Sequence, residues 1–226
     1  MTKNKIKEIP DSFGAFLVEG ANFTSNLEYP IIEKRMVSKQ LPLKIMPFNK
    51  AINYKGDLSH TYIYFYSLDK TFERVRRNPR NYINLLKRSA GFIGLDYNVH
   101  TDMPLIKQIS QMNDNLSLTY FFCKNNIKCI PNIRYGIDET SKEYFKAIPK
   151  HTLIAIGTHG FYKTTIQKSE MYCFIEKAIN NLEPTGVIII GPLNDKSILN
   201  LSNKTKFFFY KDWMEENRRV KYERTK

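Results

Sequence analysis

Short apolar runs recur along the chain from residue 61 onward, and each ends in a polar, turn-forming stretch. The first, HTYIYFYS, begins at His60 and is rich in aromatic and β-branched residues, which is typical of a strand. GVIIIGPL, which begins at Gly186, is almost continuously apolar, as a strand covered on both faces must be. This pattern predicts six strands, which begin near residues 61, 91, 127, 152, 186 and 204.

Helical periodicity fills the intervals between these strands. Apolar side chains from Leu105 to Tyr120 recur at spacings of three and four residues, so they form one continuous stripe on a helix. The strand spacing leaves room for right-handed βαβ units, whose strands are parallel. The predicted class is therefore α/β, with about six βα units. They form either a partial or distorted (β/α) barrel or a doubly wound parallel sheet, and extra strand material upstream favours the barrel.

The first 60 residues lack this regularity, because prolines and glycines interrupt them and no long helical stripe is present. LPLKIMPFNKA, which begins at Leu41, carries two prolines within an apolar run, and this favours an extended segment lying on the core. We therefore expect an irregular N-terminal arm over residues 1–60, packed on an α/β domain over residues 61–226.

The charge balance changes this picture of an ordinary globular protein. The 226 residues include 35 Lys and Arg against 22 Asp and Glu, a formal net charge of +13, while 42% of the residues are hydrophobic. Such a surplus attracts polyanions and speeds association with them. The alternative interpretation is a Lys-rich and Asn-rich composition with no binding role, since the charge is spread along the whole chain.

The cysteines and the lengths of the apolar runs indicate the cellular compartment in which the protein is expected. Cys123, Cys129 and Cys173 form no CxxC pair and no cluster with histidine, which argues against a disulfide framework and against a zinc site. The N-terminus lacks the apolar segment of a signal peptide, and no run is long enough to span a bilayer. We expect a cytoplasmic protein with no membrane association. The sequence indicates no metal or cofactor and leaves the oligomeric state open.

Polar residues stand where the predicted strands end. Asp96 follows GFIGL, Arg134 follows IKCIPNI, and His159 follows TLIAIGT. Parallel strands deliver their C-terminal ends to one face, so these three side chains should converge on one concave surface. Asp96, Arg134 and His159 are therefore the candidate catalytic residues.

Each candidate also has a structural interpretation. Asp96 can accept backbone N–H groups at its own turn. Arg134 can pair with Asp96 as a structural bridge, or bind an anionic ligand through its planar fork. His159 can act as a general acid or base, or serve only packing. Asp102 stands just before Pro104 and the long helix, where we expect it to cap the helix N-terminus.

Two basic segments mix arginine with aromatic side chains. The first lies between Phe72 and Tyr82, and the second surrounds Tyr222 near the C-terminus. This mixture suits phosphate contacts combined with base stacking, while the alternative is a solvated helix face. The candidate nucleic-acid-binding residues are Arg74, Arg76, Arg77, Arg80, Arg218, Arg219, Lys221 and Arg224.

Five blocks, in order, carry a resemblance to a known family: MPFNKA, TFERVRRNPRNYINLLK, DYNVHTDMPLIKQI, IKCIPNIRYG and IAIGTHG. Over roughly residues 41–195 the chain resembles a domain-of-unknown-function family encoded largely by bacteriophages, plasmids and other mobile elements of Firmicutes. The resemblance implies a mobile-element origin. It supplies no activity, fold or catalytic residue.

Three functions are compatible with these patterns. The first is a mobile-element accessory protein that binds nucleic acid, which the charge and the basic segments favour. The second is an enzyme with a site at the strand C-terminal ends, acting on a nucleotide or another phosphorylated ligand. The third is an inhibitor of a host defence factor, so that a host protein is a possible partner. The sequence does not decide between DNA and RNA.

Overall fold

The computed structural model describes residues 11, 14–158, 164–191, 198 and 200–211. Strands and helices alternate along this part of the chain. Its strands are β1 (Lys44–Pro47), β2 (Thr61–Tyr64), β3 (Gly91–Ile93), β4 (Cys129–Ile130), β5 (Leu153–Gly157), β6 (Gly186–Ile190) and β7 (Phe207–Tyr210). Its α-helices are α1 (Phe48–Ala51), α2 (Glu73–Arg77), α3 (Ile83–Lys87), α4 (Leu105–Lys124), α5 (Asp138–Lys146) and α6 (Thr165–Leu182).

The strand order follows the chain order. β1 to β4 form one parallel sheet and β5 to β7 form a second, and a parallel bridge between Asn132 and Ala155 links β4 to β5. A doubly wound sheet reverses its strand order at a switch point, and this order has no reversal. The α/β class is therefore confirmed, and the order is that of a barrel built from successive βα units.

Two hydrophobic clusters lie on the two sides of the strands. The outer cluster packs the helices against the strands, and the inner cluster collects side chains from all seven strands of the described part. The inner cluster contains Ile45, Tyr62, Tyr64, Ile93, Ile130, Leu153, Ala155, Ile188 and Ile190, with Phe208 and Tyr210 against it. One cluster fed by every strand is the packed interior of a (β/α) barrel.

The seam of the barrel lies between β7 and β1. The Tyr210 hydroxyl donates a 2.7 Å hydrogen bond to the carbonyl of Pro42, two residues before β1. Among the described residues no backbone ladder joins these two strands. The first and last strands of the order therefore meet through a side chain, and the barrel is distorted at this point.

The N-terminal segment is irregular up to residue 43, with short 3₁₀ turns at Ala15–Leu17 and Lys34–Met36. Beyond it, Lys44–Pro47 lies within the sheet as β1, and not on the core as an extended arm. Pro42 lies two residues before this strand, and Pro47 is its last residue. Because no strand of the described part pairs with β1 on the seam side, Pro47 removes no ladder bond there.

The N-termini of α6 and α4 are stabilised in different ways. Thr164 and Gln167 form a capping box at the start of α6. The expectation that Asp102 caps α4 is wrong, because Pro104 occupies the N-cap position and no side chain caps this end. Instead, Gln108 of the first turn donates a 2.8 Å hydrogen bond to the carbonyl of Met103 and so ties the entering loop to the helix.

Candidate functional site at the strand C-terminal ends

Asp96 and Arg134 form a buried ion pair just beyond the ends of β3 and β4. Arg134 Nε lies 2.8 Å from Asp96 Oδ1, and Arg134 Nη2 donates to Oδ2 at 3.1 Å. Their side chains are only 7% and 8% exposed. The arginine fork therefore faces both carboxylate oxygens, which holds the two side chains in one orientation.

Asn132 anchors this pair to the barrel. Its side-chain amide donates to Asp96 Oδ1 at 2.7 Å and to the carbonyl of Leu95 at 2.8 Å. Its side-chain oxygen accepts from the Tyr66 hydroxyl at 2.9 Å, and its backbone carbonyl accepts from the Tyr144 hydroxyl at 2.9 Å. Residues from the ends of three adjacent strands thus form one set, here called the Asp96 network: Tyr66, Asp96, Asn132 and Arg134.

Two glycines allow this close packing. A Cβ atom on Gly157, the last residue of β5, would lie 2.7 Å from two ring carbons of Tyr66, so the ring lies directly against the β5 backbone. A Cβ atom on Gly94 would lie 2.9 Å from the backbone nitrogen of Asn132. Both positions require glycine because a neighbouring group occupies the space of a side chain. Through Tyr66, the network therefore reaches a fourth strand.

The guanidinium of Arg134 makes one further contact. Nη2 also donates to the side-chain oxygen of Asn98 at 3.1 Å. Nε, although 2.8 Å from Asp96, lacks the alignment of a hydrogen bond and has no such partner among the described residues. Arg134 therefore ties Asn98, on the segment after β3, to the Asp96 network.

Burial dominates the protonation behaviour of the network. It raises the pKa of Asp96 to about 6, although the positive charge of Arg134 and the amide of Asn132 oppose the shift. The pKa of the Tyr66 hydroxyl is also well above its ordinary value, chiefly because of burial. Asp96 is therefore the group in the network that can exchange a proton near neutral pH, while Tyr66 remains a donor.

The third candidate, His159, lies outside the described residues. Thr158, which precedes it, is buried, and its backbone N–H donates to the carbonyl of Ile190 at 3.0 Å. The structure thus brings Asp96 and Arg134 together. Tyr66 and Asn132 are the members that sequence reasoning did not select, although both stand at predicted strand ends. Within the described ranges, no three His, Cys, Asp or Glu side chains are grouped to hold a metal ion.

In the first basic segment, one arginine is held by contacts with neighbouring side chains and three are exposed. The guanidinium of Arg76 lies 4.1 Å above the ring of Tyr97, pairs with Asp114 at 2.9 Å and donates to Gln111 at 2.7 Å. These contacts hold Arg76 against α4. The exposed arginines are Arg74, Arg77 and Arg80.

The aromatic partners expected for this segment face inward. Phe72 is fully buried, and Tyr82 packs edge-on against Phe48 with ring centroids 5.2 Å apart. The guanidinium of Arg80 instead lies 4.0 Å above the ring of Phe16. The other predicted basic residues, Arg218, Arg219, Lys221 and Arg224, lie outside the described residues. Phosphate contact therefore remains available to the exposed arginines, but stacking of a base on Phe72 is not.

Comparison with known proteins places the chain in a family without assigning an activity. In the described ranges, no helix has the length and apolar character needed to cross a membrane. No curated protein and no solved structure matches the chain. The family model described as Domain of unknown function (DUF4417) matches residues 21–210, which include every strand of the barrel. The chain therefore belongs to the DUF4417 family.

Proposed function

We propose that this chain is a nucleic-acid-binding accessory protein of a mobile element, such as a phage or plasmid. The observation that carries the proposal is the exposure of Arg74, Arg77 and Arg80 within one short stretch of the chain. Among the described residues, no carboxylate forms an ion pair with Arg74 or Arg77, so their charges are available to phosphates. The net charge of +13 adds a long-range attraction for polyanions.

The buried aromatic rings determine the kind of binding we propose. Phe72 is inaccessible and Arg76 is engaged with Asp114, so the segment offers point charges without a stacking platform. Contacts of this kind position a backbone and carry no sequence information. Binding through this surface is therefore sequence-independent and strongly dependent on salt.

Replacing Arg74, Arg77 and Arg80 together by glutamine should weaken binding of single-stranded and duplex oligonucleotides by about tenfold or more at low salt. The slope of log K against log salt should fall by about 0.7–0.9 for each phosphate that the variant no longer neutralises, because fewer counterions are released. Fluorescence anisotropy at two salt concentrations measures both effects.

The control for this experiment removes the same charge elsewhere. Replacing the exposed residues Lys50, Lys55 and Lys142 by glutamine should leave most of the affinity intact. Equal reductions of affinity in the two triple variants would show that net charge alone, and not the position of the three arginines, determines binding. Absence of oligonucleotide binding by the unaltered protein at low salt would remove the proposal.

A second candidate function is an enzyme acting on a nucleotide or another phosphorylated ligand. One specific observation favours it: the Asp96 network lies at the C-terminal ends of the barrel strands, where barrel enzymes hold their active sites. Its carboxyl group has a pKa of about 6, which suits a general base near neutral pH.

The variant Asp96→Asn tests this candidate, because it keeps the shape of the side chain and removes the base. Turnover of a nucleotide panel, followed by chromatography, should fall by about 100-fold or more, as general-base catalysis contributes about 10²–10⁴-fold. Turnover by the unaltered protein should rise with pH through about 6, as Asp96 loses its proton. Asp138→Asn, at an exposed carboxylate, is the control. Full activity in Asp96→Asn would exclude the base role.

A further inference from the structure

A second site lies at the opposite end of the barrel, where the strands begin. A pocket of about 500 Å³ opens there. Its wall includes Tyr62, the second residue of β2, Ala90, which immediately precedes β3, and Lys128, which immediately precedes β4. The remaining lining comes from the segment 34–40 of the irregular N-terminal region. Because the Asp96 network lies beyond the other ends of the same strands, the two sites are separate.

The N-terminal segment is fixed in place at this pocket. Val37 forms a parallel bridge with Cys129, the first residue of β4. The backbone N–H of Ser38 donates to the carbonyl of Cys129 at 2.7 Å. The segment thus lies along β4 as a backbone-paired wall, so the pocket is a preformed part of the fold.

Positive charge accumulates around the pocket. Lys34, Arg35, Lys39 and Lys128 line it. Glu33 forms a two-point pair with Arg35, at 2.5 and 3.0 Å. Lys128 Nζ donates to the backbone carbonyl of Arg35, which is a neutral acceptor. Within the described part of the chain, no carboxylate pairs with Lys34, Lys39 or Lys128, so three ammonium charges remain without a counter-charge.

Two neutral hydroxyl groups, of Ser38 and Tyr62, lie in the pocket wall. Ser38 Oγ donates to the carbonyl of Gln40 at 3.2 Å, accepts from the backbone N–H of Gln40 at 3.1 Å, and lies 2.6 Å from Tyr62 Oη. Both residues are buried. Burial raises the pKa of the Tyr62 hydroxyl, so this group keeps its proton and donates it to Ser38 Oγ. The hydroxyl pair therefore holds the wall in place, and the ammonium groups are the donors that match the oxygens of an anion.

We propose that this pocket binds a phosphomonoester group. Three uncompensated ammonium charges favour a dianionic phosphomonoester over the single charge of a phosphodiester. The volume lies within the range of about 300–1,000 Å³ found for small-molecule sites, which accommodates a mononucleotide. The group comes either from a free nucleotide or from the phosphorylated end of a nucleic acid. The site is independent of the proposed nucleic-acid surface, because Arg74, Arg77 and Arg80 do not line it.

Calorimetric titration with adenosine 5′-monophosphate and with adenosine tests the proposal. The monophosphate should bind about tenfold or more tightly, since hydrogen bonds to charged groups are the strong ones. The double variant Lys34→Gln/Lys39→Gln should lose about tenfold or more of that affinity. Tyr62→Phe, which removes only a hydroxyl, should lose less. The exposed pair Lys50→Gln/Lys55→Gln is the charge-matched control and should bind like the unaltered protein.

Oligonucleotides with and without a 5′-phosphate distinguish the two sources. A preference for the phosphorylated end that disappears in Lys34→Gln/Lys39→Gln identifies a nucleic-acid terminus. A preference limited to the mononucleotide identifies a free nucleotide. Equal binding with and without phosphate in both ligand pairs would overturn the proposal, as would undiminished binding by the double variant. The triple arginine variant should keep its affinity for the monophosphate, so failure of the proposed function is seen separately.

Discussion

Replacing Arg134 by methionine should lower the free energy of unfolding by about 3–5 kcal/mol at pH 8, because a buried carboxylate is left without its partner. The loss should be smaller at pH 5. The pKa of Asp96 is already raised to about 6 in the folded protein, against an ordinary value of 3.8, and removing the neighbouring cation raises it further. Protonation then relieves the uncompensated charge. Urea unfolding at the two pH values measures the difference.

The sign of this pH dependence follows from the direction of the pKa shift. A carboxyl group with a raised pKa in the folded state binds its proton more tightly there than in the unfolded chain. Its contribution to stability is fully present below pH 4 and is lost as the pH rises through about 6. A loss in Arg134→Met that is equal at pH 5 and pH 8 would contradict this account.

Lys177→Met provides the matched control for the ion pair. Lys177 contacts Asp138 at 2.6 Å, but both side chains are more than half exposed. Solvent screens such a pair, so the variant should cost no more than about 1 kcal/mol. The pair of variants therefore separates the effect of burial from the effect of pairing.

A double-mutant cycle between Ile45 and Tyr210 should show that β1 and β7 are neighbours. Ile45→Ala alone should cost about 2–5 kcal/mol, because it empties part of the inner cluster. Combined with Tyr210→Ala, it should show a coupling energy of about 0.5–3 kcal/mol, as expected for residues that share packing. In an open sheet with the same strand order, these strands would be the two outermost, and the effects would add. Denaturant unfolding of the four proteins gives the coupling.

The cycle needs a pair that is buried but separated. Ile179 of α6 belongs to the outer cluster, on the other side of the sheet from Ile45. Ile45→Ala and Ile179→Ala should be additive within about 0.5 kcal/mol. Additivity for Ile45 and Tyr210 as well would contradict the closed arrangement at the seam.

The α/β class and six of the strands follow from the sequence because local patterns encode them. Short, almost continuously apolar runs such as GVIIIGPL are typical of strands that are covered on both faces. The apolar stripe from Leu105 to Tyr120 lies on one helix, α4. Polar residues at the strand ends similarly predict the meeting of Asp96 with Arg134. Parallel strands bring these positions to the same face in any such fold.

The features that sequence reasoning missed depend on tertiary context. Pro42 and Pro47 conceal β1, because a proline is unfavourable in most strands but tolerated beside the seam. In the sequence, Tyr66 and Asn132 look like ordinary strand-end residues. Their roles depend on contacts made only in the folded protein, between Tyr66 and Gly157 and between Asn132 and the Asp96 carboxylate. Asp102 does not cap α4 as expected. The loop before this helix is instead held by the side chain of Gln108, and no sequence motif indicates that contact.

The hydrogen bond from Tyr210 to Pro42 has a consequence for synthesis of the chain. Most strand pairs join consecutive strands and can form as each βα unit leaves the ribosome, whereas this bond joins residues 168 positions apart. Until β7 emerges, the nascent chain carries β6 as an open strand edge, with a partly uncovered apolar interior. Unpaired edges invite pairing with other chains. A premature stop before residue 207 should therefore yield an aggregating product, and not a smaller working barrel.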